Sequence, residues 1–338
     1  MKEQKNCDYI TSREPNYFGD PLDDYPQRTQ RIVESALSKI KVAKRSQQDL
    51  KKLFYHLLDH LANKRYQIAL DQNTAKASKF GERRDAKTVL DRGECHFYTN
   101  LTGVYASYGE KLIEQFKHLV SPHGCKISFS SERCETSFSA EILSYEQLND
   151  RGLLYPTKDL LTRAFERVYS EIYPAHEKPS RLKQFADLLE KNKFCAFFGA
   201  PSENRKIFIG ALFLHRKGKK EMLSQYYTRI ENGQWELPML FHMDFFQIES
   251  MLEETAILFE AIICSKSSSE SLKEQIALFR YLLSHIMPFC RGSASVQEWL
   301  TGAINQFHGL EFSENNSKSV DLEAFTTLSF EKFSGFLS

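Results

Sequence analysis

The sequence contains no apolar run of about 18 residues, the length that a helix needs to cross a bilayer. Residues 1–30 also lack the apolar core of a secretory signal peptide. Neither a membrane span nor a cleaved signal is therefore expected, and the chain is predicted to be a soluble protein of the cytosolic type. Export by a specialised secretion system that reads a flexible terminus stays open.

Cysteine is scarce and has no pattern. The seven cysteines are odd in number and scattered, and no two of them form a Cys-x-x-Cys pair. Disulfide frameworks and zinc sites both need regular cysteine spacing. We therefore expect reduced thiols and no metal site built on cysteine.

An excess of charge of either sign is missing as well. The chain has 45 Lys and Arg residues against 44 Asp and Glu residues. Nucleic-acid binding usually needs a basic excess on one face, so no nucleic-acid partner is predicted. With 338 residues, 41% of them hydrophobic, the chain can bury a large core, and we expect two domains rather than one.

The first half of the chain changes character near residue 28. Residues 1–27 are polar, carry three prolines and show no periodicity, which predicts a flexible arm. Residues 28–190 are predicted to form a mixed α+β region that begins with two helices, or with one helix broken near Ser46. A loop rich in Lys and Arg follows at residues 73–92 and is predicted to be solvated.

The second half shows hairpin signals and then helical ones. Two apolar runs within residues 194–214 flank a polar turn, and Asn232 and Gly233 stand between two alternating segments. Beyond Asp244 the pattern predicts three helices, so residues 191–312 should join the hairpins to an all-helical core, and a flexible tail is predicted at 313–338. The fold class predicted for the chain is α+β, dominated by helices.

A tight turn between the last two of these helices is the strongest candidate for a ligand site. Pro288 should end one helix, and Gly292 should allow the turn that leads into the next. The N-terminus of a helix has free amide donors and a partial positive charge, so it can bind an anion. Arg291 could add a bidentate clamp for phosphate or carboxylate.

These residues resemble the Fic family, whose signature is His-Pro-Phe-x-Asp/Glu-Gly-Asn-Gly/Lys-Arg between two helices. Pro288, Phe289 and Gly292 match the signature in register, and the helices predicted within residues 245–286 have the spacing of the family's core. Four polar positions depart from it. They are Met287 at the histidine, Arg291 at the acid, Ser293 at the asparagine and Ser295 at the final arginine.

The resemblance implies a transferase that moves AMP or a related group from ATP or a nucleotide sugar to a protein or small acceptor. In this chain Arg291, Gly292, Ser293 and Ser295 would hold the nucleotide, with little need for magnesium because the loop acid is missing. His285 would be the base, with Glu298 as a second catalytic residue. The resemblance also suggests a bacterial effector that acts in host cytosol.

Several alternatives remain open from the sequence. His285 could instead be structural, as a partly cationic residue near the C-terminus of its helix. Ser295 and Glu298 have the spacing of a capping box, but Ser293 could be the cap, which would leave the other two facing a pocket. The whole chain could also be a binding module that kept the scaffold, lost catalysis and recruits a protein partner through its hairpins.

Overall fold

The computed structural model describes residues 22–74, 76–84, 98–119, 142–143, 193–202, 205–216, 219–243, 245–265, 270–310, 320–328 and 330–337. Within these ranges the protein is an α+β fold dominated by helices, as the sequence predicts. Most of the predicted arm, the predicted strand at residues 125–131 and the predicted helix at residues 158–172 lie outside the described residues.

Two long helices open the described part of the chain. α1 spans Tyr25–Arg45 and begins with a proline at its first turn, where the missing amide hydrogen costs nothing. α2 spans Leu50–Asp71, and its N-cap Asp49 accepts hydrogen bonds from the amides of Lys51 and Lys52. The predicted break near residue 46 is therefore present, because the cap at Asp49 starts a new helix.

One mostly antiparallel sheet contains all the described strands. Their order is β1-β7-β5-β4-β3-β2, with β6 paired to β5, and only β2 and β3 are parallel. Both predicted hairpins are confirmed, and the β5–β6 turn places Asn232 and Gly233 at φ angles of 51° and 78°. The strands are β1 Tyr98–Asn100, β2 Ile142–Leu143, β3 Lys193–Ser202, β4 Arg205–Arg216, β5 Lys219–Glu231, β6 Gln234–Trp235 and β7 Met239–His242.

Six further helices complete the described part of the fold. Residues 276–286 are nearly all buried, so the helix that contains them is the central helix of the fold. The helices are α3 Ala106–Leu119, α4 Phe245–Cys264, α5 Glu270–Ile286, α6 Ser293–Phe307, α7 Val320–Phe325 and α8 Phe330–Leu337.

Helices from both halves of the chain share one core. α1 packs along α6, and α2 packs against α4 and α6. The buried ring of Phe54 lies 5.7 Å from that of Phe259 and 6.0 Å from that of Phe279, measured between centroids. The predicted boundary near residue 190 therefore does not separate two cores, because α1 and α2 bury their apolar faces on helices from the other side of it.

The C-terminal segment differs from its prediction. α7 and α8 lie within the predicted flexible tail, yet Phe325 and Phe333 are buried and the Tyr226 hydroxyl donates to the Phe325 carbonyl oxygen at 2.7 Å. A flexible tail at residues 313–338 is thus wrong for its described part. Eight of residues 313–338 are serine or threonine. The aromatic side chains of the segment nevertheless stabilise it against α5 and the sheet.

Across the described ranges, no helix combines the length and the apolar character that a membrane span requires.

Candidate functional site

The turn at residues 288–292 joins α5 to α6. α5 ends at Ile286, and Met287 then adopts a left-handed conformation with φ 45°. A left-handed residue after the last helical residue is a common helix end, although glycine is the usual residue there. Pro288 follows and cannot continue the helix, so the sequence prediction of this helix end is confirmed.

Gly292 is the N-cap of α6. Its φ of 84° is in the left-handed region, and no side chain caps the helix there. A Cβ atom at this position would lie 2.7 Å from Cγ of Arg65 and 3.3 Å from a ring atom of Phe80. Glycine is thus required by conformation and by space, and the face of the turn predicted to approach a phosphate is covered by these two side chains.

A second segment, residues 80–84, pairs with the 288–292 turn. The amide of Gly81 donates to the carbonyl of Arg291 at 3.2 Å, and that of Arg84 donates to the carbonyl of Pro288 at 3.0 Å. In the opposite direction, the amide of Cys290 donates to the carbonyl of Glu82 at 2.8 Å. Residues 80–84 are therefore packed rather than part of the predicted solvated loop, and they engage two carbonyls and one amide of the turn.

Arg84 holds the C-terminal end of α5. Its side chain is 5% exposed, and Nη1 donates to the carbonyls of Ile286 at 3.0 Å and Met287 at 2.9 Å. Its Nη2 donates to the carbonyl of Met243 at 2.6 Å. A cation at this position satisfies the last carbonyls of the helix and favours its negative end. This is the cationic capping role that the structural alternative gave to His285.

Three arginines surround Phe289 of the turn and Phe80 of the segment that pairs with it. The guanidinium carbon of Arg65 lies 4.2 Å from the Phe80 ring centroid, and that of Arg291 lies 5.7 Å from the same centroid. The guanidinium of Arg83 lies 5.1 Å from the Phe289 centroid. Burial lowers the pKa of Arg65. Arg291 itself is partly exposed, so it remains a candidate contact for an anionic group.

The Ser293 side chain forms hydrogen bonds with the backbone of the turn. Its Oγ accepts from the Phe289 amide and donates to the Phe289 carbonyl, both at 3.1 Å, and the residue is 4% exposed. Its hydroxyl is therefore engaged with the backbone of the turn. Ser293 is not the N-cap, because the helix begins one residue earlier than a Ser293 cap requires.

His285 is buried in the core, away from solvent. It is 0% exposed, and its Nδ1 lies 2.8 Å from Oγ of Ser224. Its ring lies against those of Tyr281 and Phe325, at centroid distances of 4.5 and 5.5 Å. Burial lowers the pKa of His285 to about 3, although the Ala324 backbone opposes the shift. The ring is thus neutral at pH 7 and is neither a reachable base nor a cationic cap.

Ser295 and Glu298 do not form a capping box. Gly292 is the N-cap, so Ser295 is already the third residue of α6 and Glu298 lies a turn further along. Burial and the charge of Asp321 raise the pKa of Glu298, and the charge of Arg280 opposes them. Both Ser295 and Glu298 are partly exposed, and the alternative with Ser293 as the cap is wrong as well, because Gly292 is the N-cap.

Arg280 is a charged residue that the sequence analysis missed. It lies on α5 and is 7% exposed, and burial lowers its pKa to about 10 while the charge of Glu298 opposes that shift. Its carbonyl accepts from Nε2 of Gln297 at 2.7 Å, which ties α5 to α6. One signal was available in the sequence, since Arg280 interrupts the apolar run of α5.

No known protein family matches the chain, and comparison with curated proteins found no similar sequence. Among the residues that the structure describes, no group of three or more His, Cys, Asp or Glu side chains could hold a metal ion. The resemblance to the Fic family therefore rests on the residues of the 288–292 turn and the helices around it.

Proposed function

We propose that the chain is a binding module that recruits a protein partner, and that its helix-turn-helix acts as a scaffold. The observation that carries the proposal is that the 288–292 turn is already paired with residues 80–84 through three backbone hydrogen bonds. One of the three bonds takes the amide of Cys290, and the Ser293 hydroxyl takes the amide of Phe289, whereas a loop that holds nucleotide phosphates needs its amides free. Catalysis would in addition need a base within hydrogen-bond distance of the substrate, and His285 is fully buried.

Strand addition at β5 is the proposed mode of recruitment. β5 pairs with β7 only over residues 224–227, so residues 219–223 extend beyond β7 and have no partner on that side among the described strands. On the other side residues 219–222 pair with β4. An unpaired strand edge offers amides and carbonyls to an extended peptide. The proposed partner is therefore a protein that presents such a segment.

Proline substitution tests the strand edge. Successive amides of a strand point to opposite edges, so the amides of Glu221 and Met222 face different sides of β5. Proline on the β4 side removes a ladder hydrogen bond and should destabilise the protein, whereas proline on the open side should keep the fold and abolish partner binding. The probe is an extended peptide selected from a random library against the full chain. Hydrogen exchange should then show protection of residues 219–223 by the peptide, and protection confined to α6 would contradict the proposal.

A phosphate-dependent group transfer is the second candidate, and one observation favours it. Arg65 and Arg291 lie on the same Phe80 ring, beside the N-terminus of α6 that no side chain caps. Cations next to a helix N-terminus attract phosphate groups. In this candidate function Arg291 holds the phosphate of ATP or of a nucleotide sugar.

Nucleotide binding separates the two candidates. Melting of the full chain is measured with millimolar ATP or a nucleotide sugar, with magnesium or with a chelator, together with transfer of label from the nucleotide to protein. The binding module predicts no shift and no transfer. A nucleotide at about 100 times its dissociation constant would stabilise the fold by about 2.7 kcal/mol. A shift that survives chelation and is lost in Arg291→Ala, but kept in the exposed control Arg45→Ala, would support group transfer.

The proposal extends to the place of action, a host cytosol reached by a specialised secretion system. Its support is the resemblance to the Fic family. A translocation reporter fused to the full chain tests it, and failure to enter host cells through any such system would contradict it.

A further inference from the structure

The corner between α1 and α2 concentrates positive charge. Residues 39–52 contain six Lys and Arg residues and one acid, Asp49, which is an excess of five positive charges in a chain whose net charge is +1. The rest of the chain is therefore negative overall. Six side chains of this corner are exposed, and we call them the basic corner: Lys41, Val42, Lys44, Arg45, Lys51 and Lys52.

Two contacts place both helices of the basic corner on one surface. Nζ of Lys44, from α1, lies 3.2 Å from Sγ of Cys264 on α4. Nζ of Lys51, from α2, lies 3.7 Å from a carboxylate oxygen of Glu260 on the same helix. Glu260 and Cys264 are four residues apart, so they are neighbours on one face of α4. The cations of α1 and α2 therefore border the C-terminal end of α4 together.

Few carboxylates oppose these cations. Asp49 caps α2, and Glu260 pairs with Lys51. Within the described ranges, no carboxylate lies within ion-pair distance of Lys41 or Arg45. The potential at the basic corner is therefore positive, and an anionic partner complements it.

Helix stability explains only part of the basic corner. Lys44 and Arg45 lie in the last turn of α1, where cations favour the negative end of the helix. Lys51 and Lys52 lie in the first turn of α2, which contains no acidic residue, and cations there oppose the positive end of the helix. The charge of these two lysines is thus not explained by the helix to which they belong.

We propose that the basic corner docks on a bilayer that contains anionic lipids. Its five cations lie over the anionic headgroups, and the side chain of Val42, which is 55% exposed, enters the interfacial layer between them. Lys41 and Arg45 are one helical turn apart and both lie next to Val42 on the exposed side of α1. This surface shares no residue with the strand edge of β5 or with the 288–292 turn, and it depends on neither proposed function.

Val42 favours a bilayer over a nucleic acid. Both partners are anionic, so the cations alone would suit either of them. Nucleic acids are recognised in addition through polar side chains on base edges or aromatic side chains on which bases stack. The basic corner instead presents an aliphatic side chain among its cations. Such a side chain gains free energy when it leaves water for the apolar part of the interface.

Sedimentation of the full chain with vesicles tests the proposal. The vesicles are phosphatidylcholine alone or phosphatidylcholine with about one-third phosphatidylserine, and binding is expected only to the anionic ones. Raising the salt from about 0.1 M to about 0.5 M should release the protein, because exposed charges are then screened. Absence of binding to the anionic vesicles at low salt would overturn the proposal.

A double variant locates the binding surface. Lys41→Gln with Arg45→Gln should weaken binding to the anionic vesicles at least tenfold, since each cation near such a surface contributes about fivefold in affinity. The control is Lys117→Gln with Lys273→Gln, which removes two cations with side chains 47% and 52% exposed on other helices and should bind like the wild type. Equal loss in both double variants would show an effect of net charge and would overturn the basic corner.

A tryptophan probe separates the bilayer from a nucleic acid. Emission of Val42→Trp, read as the difference from the wild type, should shift to the blue on anionic vesicles because the ring leaves water. Val104→Trp, at a position that is 61% exposed, is the control and should not shift. Duplex DNA is the second probe, at the same salt concentration. Tighter binding of the DNA than of the vesicles, or an unshifted Val42→Trp emission on vesicles that bind, would overturn docking on a bilayer.

Discussion

Oγ of Ser224 lies 2.8 Å from Nδ1 of His285, and both residues are buried. The pair joins β5 of the sheet to the central helix α5. The ring of Phe325, from α7, lies against the same imidazole. Sheet, central helix and C-terminal segment therefore meet at a histidine that must stay neutral.

Acid should unfold the protein through His285. Its pKa is lowered from 6.5 to about 3 in the fold, so below pH 6.5 the unfolded chain binds a proton that the folded chain resists. The stability that the neutral ring contributes is present above pH 6.5 and is lost as the pH falls towards 3, by about 1.4 kcal/mol for each unit that separates the two pKa values. Urea unfolding from pH 7 to pH 4 should show a smaller loss in His285→Gln than in the wild type. The exposed His56 provides the control His56→Gln, and equal pH dependence in all three proteins would contradict the prediction.

Arg84→Met should destabilise the fold strongly. The substitution removes the donors to two buried carbonyls and a partly buried one, and a buried carbonyl left unpaired costs about 1–3 kcal/mol, so we expect a loss of about 3 kcal/mol or more. The neighbouring Arg83 is a matched control, because the side chain of Asp59, its ion-pair partner, is 60% exposed and the pair should contribute about 1 kcal/mol or less. Chemical denaturation measures both, and similar losses would show that Arg84 does not hold the end of α5.

Gly292→Ala should also destabilise the protein, by strain and by overlap. A left-handed alanine costs about 1–2 kcal/mol, and its Cβ would lie 2.7 Å from Cγ of Arg65. Gly233 has a similar φ, and a Cβ atom there would contact nothing within 4 Å. Gly233→Ala therefore measures the cost of the left-handed conformation alone. The double variant Gly292→Ala with Arg65→Ala should lose less stability than the sum of the two single variants, since the overlap disappears. Strict additivity would argue against contact between the turn and Arg65.

Lys111→Met should loosen the C-terminal segment. Lys111 on α3 forms an ion pair with Glu323 on α7, whose side chain is only 6% exposed. Without the lysine, a buried carboxylate is left without its cation, which is costly. Hydrogen exchange of residues 320–337 should become faster. Lys117→Met, in an exposed pair with Glu114, should leave these rates unchanged, and unchanged rates in both variants would contradict the docking role of Lys111.

Local patterns in the sequence predicted the local features of the fold. The β5–β6 turn follows from Asn232 and Gly233, which tolerate positive φ, and the end of α5 follows from Pro288. In both places the residue itself restricts the backbone. These features therefore did not depend on knowing the partner segments.

The candidate site could not be predicted in the same way, because it depends on contacts between distant segments. Residues 80–84 look like a solvated basic loop, and only the fold reveals that they pair with the 288–292 turn. The hydroxyl of Ser293 was predicted to face a ligand, but the Phe289 backbone is nearer. Periodicity marks His285 as part of a buried helix and says nothing of its neutral state, which results from the residues around it.

The pairing of residues 80–84 with the 288–292 turn has a consequence for synthesis on the ribosome. About two hundred residues separate the two segments, and α1 and α2 bury their apolar faces mainly on α4 and α6. The first two helices therefore leave the ribosome long before their partners exist. Contacts so distant in sequence slow folding, and exposed apolar faces favour aggregation in the meantime. The nascent chain should consequently depend on chaperones until α6 has emerged.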